Sequence, residues 1–475
     1  MDPRFAACFL GATALLLAGT ALATGPSAAF AASPLAIFLG AVAIEVARRV
    51  TWFTPRHVVA GGVATVLAGL ALAAFGPTGA GLATAVAGLG VALCGTQLAL
   101  AFDRPPAPHS LPSPLGAALN AGVAADELLK LYWEVAFRRR DDDLRRIAQE
   151  VLEAGRRNAE RGLLDHPERA HPVPPTLEKP KLVSRTLRGA APFEHVTFTS
   201  EYEPHDAEIH TEYLANERNR TAHVYLWRHR DSPRPTVLCI HGYGQGRIVL
   251  DSQAFEVRRL HEKLGLDVAA VVLPLHGPRA ALRRSGAGFL DGHPLWTNAA
   301  FTQAIWDLRR LTGWLRVQGA PALGVYGMSL GGYTSALFAS LEPGLACAIP
   351  MIPVASLSAL VWRGMREPRR HAAEAAGLDE AALERAFATH SPLRMQPLVP
   401  KEGRLVVAAL ADRIVPPAQA HALWEHWERP ALHWFAGTHL AWVGRREIRA
   451  RIESHLRATL LPSHEAGKPA LSRFR

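Results

Sequence analysis

One short segment limits the folds open to this 475-residue chain more than any other. It has the pattern Gly-x-Ser-x-Gly, from Gly327 to Gly331 around Ser329, and it lies between an apolar run at 322–326 and a helix-like stretch at 333–341. A serine flanked in this way, between a strand and a helix, is typical of a sharp turn that exposes a nucleophilic oxygen. The alternative is a serine that caps a helix after a glycine-rich turn.

A serine nucleophile also needs an acid elsewhere in the chain. Serine is a poor nucleophile near neutral pH, so it needs a base, and the base needs an acid that orients it. Asp412 follows an apolar run at 405–410, which predicts a buried strand, and two prolines follow it closely. Glu402 lies before that strand, where a catalytic acid would not reach. Asp412 is therefore the predicted acid.

Two histidines compete for the role of base. His433 lies inside a predicted strand at 431–435, whereas His439 follows that strand, with Gly437 two residues before it. Strand alternation and the glycine favour the loop position, where functional side chains are commonly found. His439 is the predicted base.

From about Pro235 to about Leu461, the order of these segments resembles that of the α/β-hydrolase superfamily, in which serine, acid and histidine follow one another along the chain. The resemblance implies an α/β fold with a mostly parallel, doubly wound sheet, an acyl-enzyme formed on Ser329, and no cofactor. Two alternating segments upstream, at 193–202 and 221–227, predict the antiparallel strands that open such a sheet.

A glycine-rich loop at 241–246 follows an apolar run at 236–240. The resemblance implies that this loop and the residue after the nucleophile stabilise an oxyanion through the backbone amides of Tyr243 and Leu330. Each such donor contributes about 3 kcal/mol of transition-state stabilisation. An ordinary turn or a phosphate-binding loop is the alternative, but a G-K-[ST] ending is missing. The other residues expected to form the site loops are His241, Gly242, Gly244, Gly327 and Gly331.

Histidines outside this set are not expected to bind a metal. They do not fall at His-x-x-x-His spacing beside a glutamate in an apolar helix. His241 is expected to tie down the glycine-rich loop through its ring. A second His-Gly turn, at His276, is interpreted as shaping the pocket.

The first hundred residues have a different character. Four segments, at 5–23, 28–47, 58–75 and 80–102, are almost free of charge, and each approaches the roughly 20 residues that a helix needs to cross a bilayer. Glycines and other small residues are spaced for close helix contact. The sequence therefore predicts an all-α transmembrane bundle of about four helices. Core helices of a soluble domain are the alternative, but they would leave too little polar surface.

Basic residues set the predicted orientation. Arg4, the separator at 48–57 and the chain after residue 102 carry arginines, whereas the other two separators carry none. The positive-inside rule then predicts that both termini and the catalytic domain lie in the cytosol. A cleaved signal peptide ending near Ala23 is an alternative for the first segment, and it leaves the catalytic domain in the same compartment.

The predicted organisation has four parts. A transmembrane region at 1–103 is followed by a Pro-rich and helical charged linker at 104–181, a catalytic domain at 182–462 and a tail at 463–475. Charges of alternating sign in the linker indicate a solvated helix, or a helix that rests on anionic lipid headgroups.

Charge and cysteine content limit the possible partners and the cellular compartment. The net charge of +10 is not accompanied by a motif for nucleic-acid recognition, so no nucleic acid is expected as a partner. Two of the four cysteines lie in apolar N-terminal segments and two in predicted strands. This is not a disulfide framework, and it fits a reducing cytosol.

The expected function is a membrane-anchored serine hydrolase that cleaves carboxylic esters, including lipid or other acyl-chain esters, with membrane lipids as partners. An amidase, a peptidase or an acyltransferase would use the same triad, and a non-catalytic scaffold of the same fold is a further alternative. An apolar stripe at 354–365 is either a core-packing helix or a cap over the substrate. A fragment beginning near Leu182 would contain every predicted catalytic residue, so it is expected to hydrolyse short soluble esters.

Overall fold

The computed structural model describes residues 55–75, 78–102, 116–136, 141–186, 192–281, 283–290, 293–365 and 367–461. The first two predicted membrane segments and the C-terminal tail lie outside these described residues. The boundaries predicted for the four parts of the chain stay predictions.

A nine-stranded sheet organises the chain from Lys181 onward, in the order β1-β2-β3-β5-β4-β6-β7-β8-β9. The strands are β1 (Lys181–Arg185), β2 (Phe193–Thr199), β3 (Thr221–Trp227), β4 (Thr236–Ile240), β5 (Asp267–Val272), β6 (Leu323–Met328), β7 (Leu345–Met351), β8 (Leu405–Ala409) and β9 (Ala431–Phe435). Strands β1 to β3 pair antiparallel, and β3 is antiparallel to β5. The six strands β4 to β9 are parallel. The predicted mostly parallel sheet with antiparallel opening strands is therefore confirmed.

Thirteen helices of the described chain precede or cover this sheet. They are α1 (Pro55–Phe75), α2 (Thr78–Phe102), α3 (Ala117–Ala136), α4 (Asp141–Glu160), α5 (Ala207–Leu214), α6 (Ile248–Ala254), α7 (Pro294–Val317), α8 (Leu330–Leu341), α9 (Leu357–Gly364), α10 (Glu367–Ala375), α11 (Glu380–Ala386), α12 (Pro417–His426) and α13 (Arg445–Leu460).

Strand alternation divides the core into two layers. Leu238 and Ile240 of β4 point to the layer that contains the buried faces of α7 and α8. Val237 and Cys239 point to the opposite layer, which contains the buried face of α13. Helices therefore cover both faces of the sheet, as in a doubly wound α/β fold.

Helices α1 and α2 form a closely packed antiparallel pair. A Cβ added to Gly62 would lie 2.4 Å from the backbone nitrogen of Ala92, and one added to Gly69 would lie 2.4 Å from that of Ala85. Only glycine allows backbones to approach this closely, so the predicted small-residue contact is present in this pair. The outward face is apolar, and its most exposed side chains are Leu67, Leu70, Leu82, Val86 and Leu89. Both helices are long and apolar enough to cross a membrane by length and composition.

Helix α3 joins the apolar pair to the carboxyl end of the parallel strands. Thr96 and Gln97 of α2 both donate hydrogen bonds to the side-chain oxygen of Asn120 in α3, at 2.6 and 2.9 Å. A small buried cluster continues the contact into the loop after β8, and it consists of Ala99, Leu100, Leu119, Val123 and Ala411.

The apolar stripe predicted at 354–365 forms α9. Ser356 caps its N-terminus by accepting a hydrogen bond from the backbone N–H of Ala359. Leu357 is buried, and Leu360 and Trp362 pack against the layer that contains α8. This packing favours the core-helix interpretation, while a role as a cap stays a prediction.

Candidate active site

Ser329 lies in the sharp turn between β6 and α8. Its backbone has φ 56° and ψ −114°, a strained conformation for a residue with a side chain. A Cβ on Gly327 would lie 2.0 Å from the carbonyl oxygen of Gly331, and one on Gly331 would lie 1.9 Å from that of Ile240. Both flanking positions therefore require glycine. The alternative of an ordinary capping serine is not supported, because the Ser329 side chain makes no capping hydrogen bond to α8.

The structure brings Ser329, His439 and Asp412 into one hydrogen-bonded chain. Ser329 Oγ lies 2.9 Å from Nε2 of His439, and Nδ1 of His439 lies 2.7 Å from Oδ2 of Asp412. A carboxylate only accepts hydrogen bonds, so Nδ1 carries the proton and Nε2 is left to accept from the serine hydroxyl. The other carboxylate oxygen of Asp412 accepts from the backbone N–H groups of Ile414 and Val415, at 3.0 and 2.7 Å.

Electrostatics favour a more basic imidazole at this position. Burial lowers the pKa of His439, but the charge of Asp412, its hydrogen bond and the charge of Asp126 together raise that pKa above its usual value. The His439 and Asp412 side chains are 8% and 2% exposed, so water screens these charges little. The competing residues lie elsewhere, with His433 inside β9 and Glu402 in a short turn before β8.

The loop predicted to stabilise an oxyanion lies against the serine turn. A Cβ added to Gly242 would lie 3.5 Å from both the Ser329 Cβ and the Met328 carbonyl oxygen. Gly244 has φ +79°, a conformation that favours glycine. Leu330 is the first residue of α8, and an amide in the first turn of a helix has no acceptor within that helix. The roles of the Tyr243 and Leu330 amides stay predictions.

His241 and His276 are both buried beneath this loop. The ring of His241 donates from Nδ1 to the carbonyl of Gly242 at 2.8 Å, and its Nε2 accepts from the N–H of Leu273 at 3.1 Å. His276 is fully buried, and its Nδ1 lies 2.8 Å from the carbonyl oxygen of Pro274. Burial lowers the pKa of both rings, so both are neutral near pH 7. These contacts fit the structural tasks that were predicted for them.

Asp126 of α3, which was not among the predicted site residues, lies fully buried beside His439 and Asp412. Its carboxylate accepts four hydrogen bonds, from the backbone N–H groups of Arg413, His439 and Leu440 and from the Thr438 hydroxyl, at 3.0–3.2 Å. Burial raises the pKa of Asp126 to about 6, the charge of Asp412 acts in the same direction, and His439 opposes both. The available signal was an acidic pair in the middle of an otherwise apolar helical face.

The second member of that pair, Glu127, makes a buried ion pair with Arg413. Glu127 Oε1 lies 3.2 Å from Nε of Arg413, and the two side chains are 1% and 3% exposed. Lys130, one turn further along α3, lies 3.0 Å from the same carboxylate oxygen. Helix α3 thus contacts the residues on either side of Asp412 and His439.

A possible metal-ligand cluster lies far from this site. His229, His261 and Asp267 each offer one ligand atom, and these atoms lie within 4.8 Å of one another. Asp267 lies at the start of β5, whereas Ser329 directly follows the end of β6. A parallel strand rises about 3.3 Å per residue, so the cluster and Ser329 lie at opposite ends of the sheet, about 20 Å apart. The adjacent cleft is lined by Arg228, Arg230 and Arg234. Glu194, Asp231 and Asp267 line the same cleft and balance these charges. Nδ1 of His229 already lies 2.9 Å from Oδ1 of Asp267, a hydrogen bond that explains the cluster without an ion, and we assign no metal to it.

The sheet order, the strained serine turn and the hydrogen-bonded serine, histidine and aspartate define a protein of the α/β-hydrolase fold. No model of a known protein family matches the sequence. Two proteins of Mycobacterium tuberculosis, from strains CDC 1551 and H37Rv, are each 38% identical to the chain over 318 residues, which is 66% of this chain and 75% of each relative. The chain belongs to the family of these two proteins, both of which are described as uncharacterized.

Solved structures that are similar to the chain include three esterases. Acetyl xylan esterase 1 from Thermoanaerobacterium is 16% identical, with a TM-score of 0.45, over 62% of this chain and 93% of its own. An acetyl xylan esterase from Paenibacillus is 15% identical, with a TM-score of 0.44, over 62% of this chain and 92% of its own. Carboxyl esterase 2 from Tuber melanosporum is 17% identical, with a TM-score of 0.37, over 57% of this chain and 89% of its own.

Proposed function

We propose that this protein is a serine hydrolase that cleaves carboxylic esters through an acyl-enzyme on Ser329. The observation that carries the proposal is the continuous hydrogen-bond chain from Ser329 through His439 to Asp412, at 2.9 and 2.7 Å. In this arrangement the buried acid fixes the tautomer of the histidine, and the histidine can then accept the proton of the serine hydroxyl. A hydroxyl activated in this way can attack an acyl group.

The reaction would proceed in two halves. Ser329 Oγ attacks the ester carbonyl carbon while Nε2 of His439 takes the hydroxyl proton, and the backbone amides of Tyr243 and Leu330 stabilise the oxyanion. Collapse of this intermediate breaks the bond to the alkoxy group, and His439 returns the proton to the departing alcohol. Water then attacks the acyl-enzyme with the same histidine as base, which releases the acid and restores Ser329.

We further propose that α1 and α2 anchor the protein in a bilayer and that the substrates include lipid or other acyl-chain esters. Support comes from the length of the two helices and from the exposed leucines on their outer face. Leu440, directly after His439, is 48% exposed, so an apolar side chain faces solvent next to the proposed base. In this arrangement the site would lie close to the membrane surface, where such esters are concentrated.

The test is an ester panel on the full chain in detergent or nanodiscs. We expect hydrolysis of p-nitrophenyl esters from acetate to dodecanoate, and Ser329→Ala should reduce turnover on the order of 10⁶-fold. Ser340→Ala, on the same side of the sheet in α8, removes a hydroxyl that bonds only to backbone carbonyls and should stay active. Retained turnover in Ser329→Ala would contradict the proposal. Faster cleavage of a matched anilide, or product formed only with an added alcohol acceptor, would assign an amidase or an acyltransferase instead.

A further inference from the structure

We infer that Asp126 is a positioning residue for the proposed triad, and that α3 is therefore part of the active site. Its effect on catalysis rests on the proposed function, whereas its effect on the two loops that carry Asp412 and His439 does not.

The contacts of Asp126 join the two loops that hold the acid and the base. Oδ2 accepts from the N–H of Arg413 at 3.1 Å and from the N–H of His439 at 3.0 Å. Oδ1 accepts from the N–H of Leu440 at 3.1 Å and from the Thr438 hydroxyl at 3.2 Å. One donor belongs to the residue after the triad acid, and the other three belong to the triad histidine and its two neighbours.

These contacts begin where the sheet ends. Strands β8 and β9 are parallel neighbours, and hydrogen bonds between their continuations persist as far as Ala411, whose N–H donates to the carbonyl of Gly437 at 2.9 Å. Beyond Ala411 and Gly437 the two loops carry the side chains that must stay 2.7 Å apart. Asp126 takes over the bridging there. A displacement of about 1 Å between reacting groups costs up to about 100-fold in rate, so this bridge matters for turnover.

The site is built for a carboxylate and not for an amide. Four donors converge on two oxygens and offset part of the cost of burying the charge, although burial still raises the pKa of Asp126. An asparagine would place its NH₂ group against at least one backbone N–H, because donors face both oxygens. The charge also acts on the base, since it raises the pKa of His439 together with the larger contribution of Asp412.

Asp126 is held in place by the apolar pair. Asn120, less than two turns before Asp126 in α3, accepts hydrogen bonds from Thr96 and Gln97 of α2, and the cluster around Val123 packs against Ala411. Helix α2, helix α3 and the acid loop therefore form one continuous set of contacts. A fragment beginning at Leu182 would lack Asp126, so it would not contain the complete site, although it contains every residue predicted to be catalytic.

The experiment compares the full chain with two variants that make the same chemical change. Asp126→Asn removes the buried charge, and Asp143→Asn makes the same replacement in α4, where the aspartate is 42% exposed. Two readouts are needed: hydrogen exchange of peptides that cover residues 411–415 and 437–441, and kcat, KM and the pH profile for p-nitrophenyl acetate. Exchange of peptides in β6 and α8 reports on global destabilisation.

For Asp126→Asn we expect faster exchange at 411–415 and 437–441, with β6 and α8 unchanged. We expect kcat to fall on the order of 10- to 100-fold with little change in KM. The acid limb of kcat/KM should move to lower pH, because loss of the negative charge lowers the pKa of His439 and the neutral imidazole is the active base. A variant that merely unfolds more easily would not move this limb. Asp143→Asn should match the wild type.

Unchanged exchange in the two loops of Asp126→Asn would overturn the inference, whether or not the enzyme turns over esters. Faster exchange in these loops, combined with an inactive wild type, would uphold the positioning role and contradict the proposed function. Wild-type kcat and an unmoved acid limb in Asp126→Asn would contradict the catalytic consequence of the inference and leave the proposed function standing.

Discussion

Two buried carboxylates, those of Asp412 and Asp126, have different roles at this site. Asp412 contacts the imidazole ring and fixes which nitrogen carries the proton. Asp126 contacts the backbone of the loop that carries the ring. Mutation of the first should therefore change the chemistry of the base, while mutation of the second should change its position and its pKa.

Asp412→Asn separates these tasks. An amide donates to Nδ1 where the carboxylate accepted, so the ring would take the wrong tautomer and could not remove the serine proton. We expect kcat to fall on the order of 10⁴-fold, measured with a short soluble ester. Asp231→Asn is the control, because this aspartate is 64% exposed, and its kcat should equal that of the wild type. An undiminished rate in Asp412→Asn would place the catalytic acid elsewhere.

The raised pKa of His439 predicts a direction for the pH dependence of the wild type. Activity requires the neutral imidazole, so kcat/KM should rise with pH through the pKa of this residue. Since the charge of Asp412 raises that pKa despite burial, we expect the midpoint of the acid limb to lie above 6.5, the ordinary value for histidine. A midpoint below 6.5, measured on a substrate that does not itself titrate, would contradict this electrostatic picture.

At the scale of elements, the sheet and the loops that carry Asp412 and His439 could be predicted from the sequence, but the docking of α3 could not. Apolar runs bounded by glycine and proline define β4 and β8 closely, because buried parallel strands need continuous apolar residues. Asp126 contacts His439 across 313 positions of sequence. Such a contact depends on how a helix packs against a finished sheet, and local periodicity carries no information about that packing.

Gly122 tests the docking of α3 directly. A Cβ at this position would lie 2.9 Å from both the Cβ of Ala441 and Oγ1 of Thr438, so Gly122→Ala must push α3 away from the histidine loop. We expect lower kcat despite the higher helix propensity of alanine. Gly90→Ala in α2 is the matched control, because a Cβ there meets nothing within 4 Å. Equal activity of the two variants would show that the loop tolerates a shift of the helix.

At the scale of the whole molecule, the chain joins an apolar helix pair to a hydrolase-fold domain without a clean division between them. Contacts run from α2 through α3 to the loops of Asp412 and His439. The predicted linker at 104–181 thus includes a helix that packs on the candidate site. The sequence predicts helices in this stretch, but mixed charge is common in exposed segments, and only tertiary packing identifies which helix face is buried against the site.

Membrane orientation is testable by cysteine labelling in intact cells. In a chain with Cys8→Ala, Gly79→Cys should react with an impermeant maleimide from outside, because the turn between α1 and α2 lacks basic residues. Ser232→Cys, in the exposed loop before β4, should react only after permeabilisation. Cys94, Cys239 and Cys347 are buried, so they add little background. The reverse pattern would invert the predicted topology, and labelling of both positions in intact cells would contradict a cytosolic hydrolase domain.

Covalent labelling of the full chain tests whether His439 and Asp412 activate Ser329 as a nucleophile. A fluorophosphonate should form a stoichiometric adduct, and mass spectrometry of the digested protein should locate that adduct on Ser329. Ser329→Ala should abolish the adduct while its melting temperature stays close to that of the wild type. An adduct on another residue, or no adduct on a folded wild-type chain, would contradict the assignment of Ser329 as the activated nucleophile.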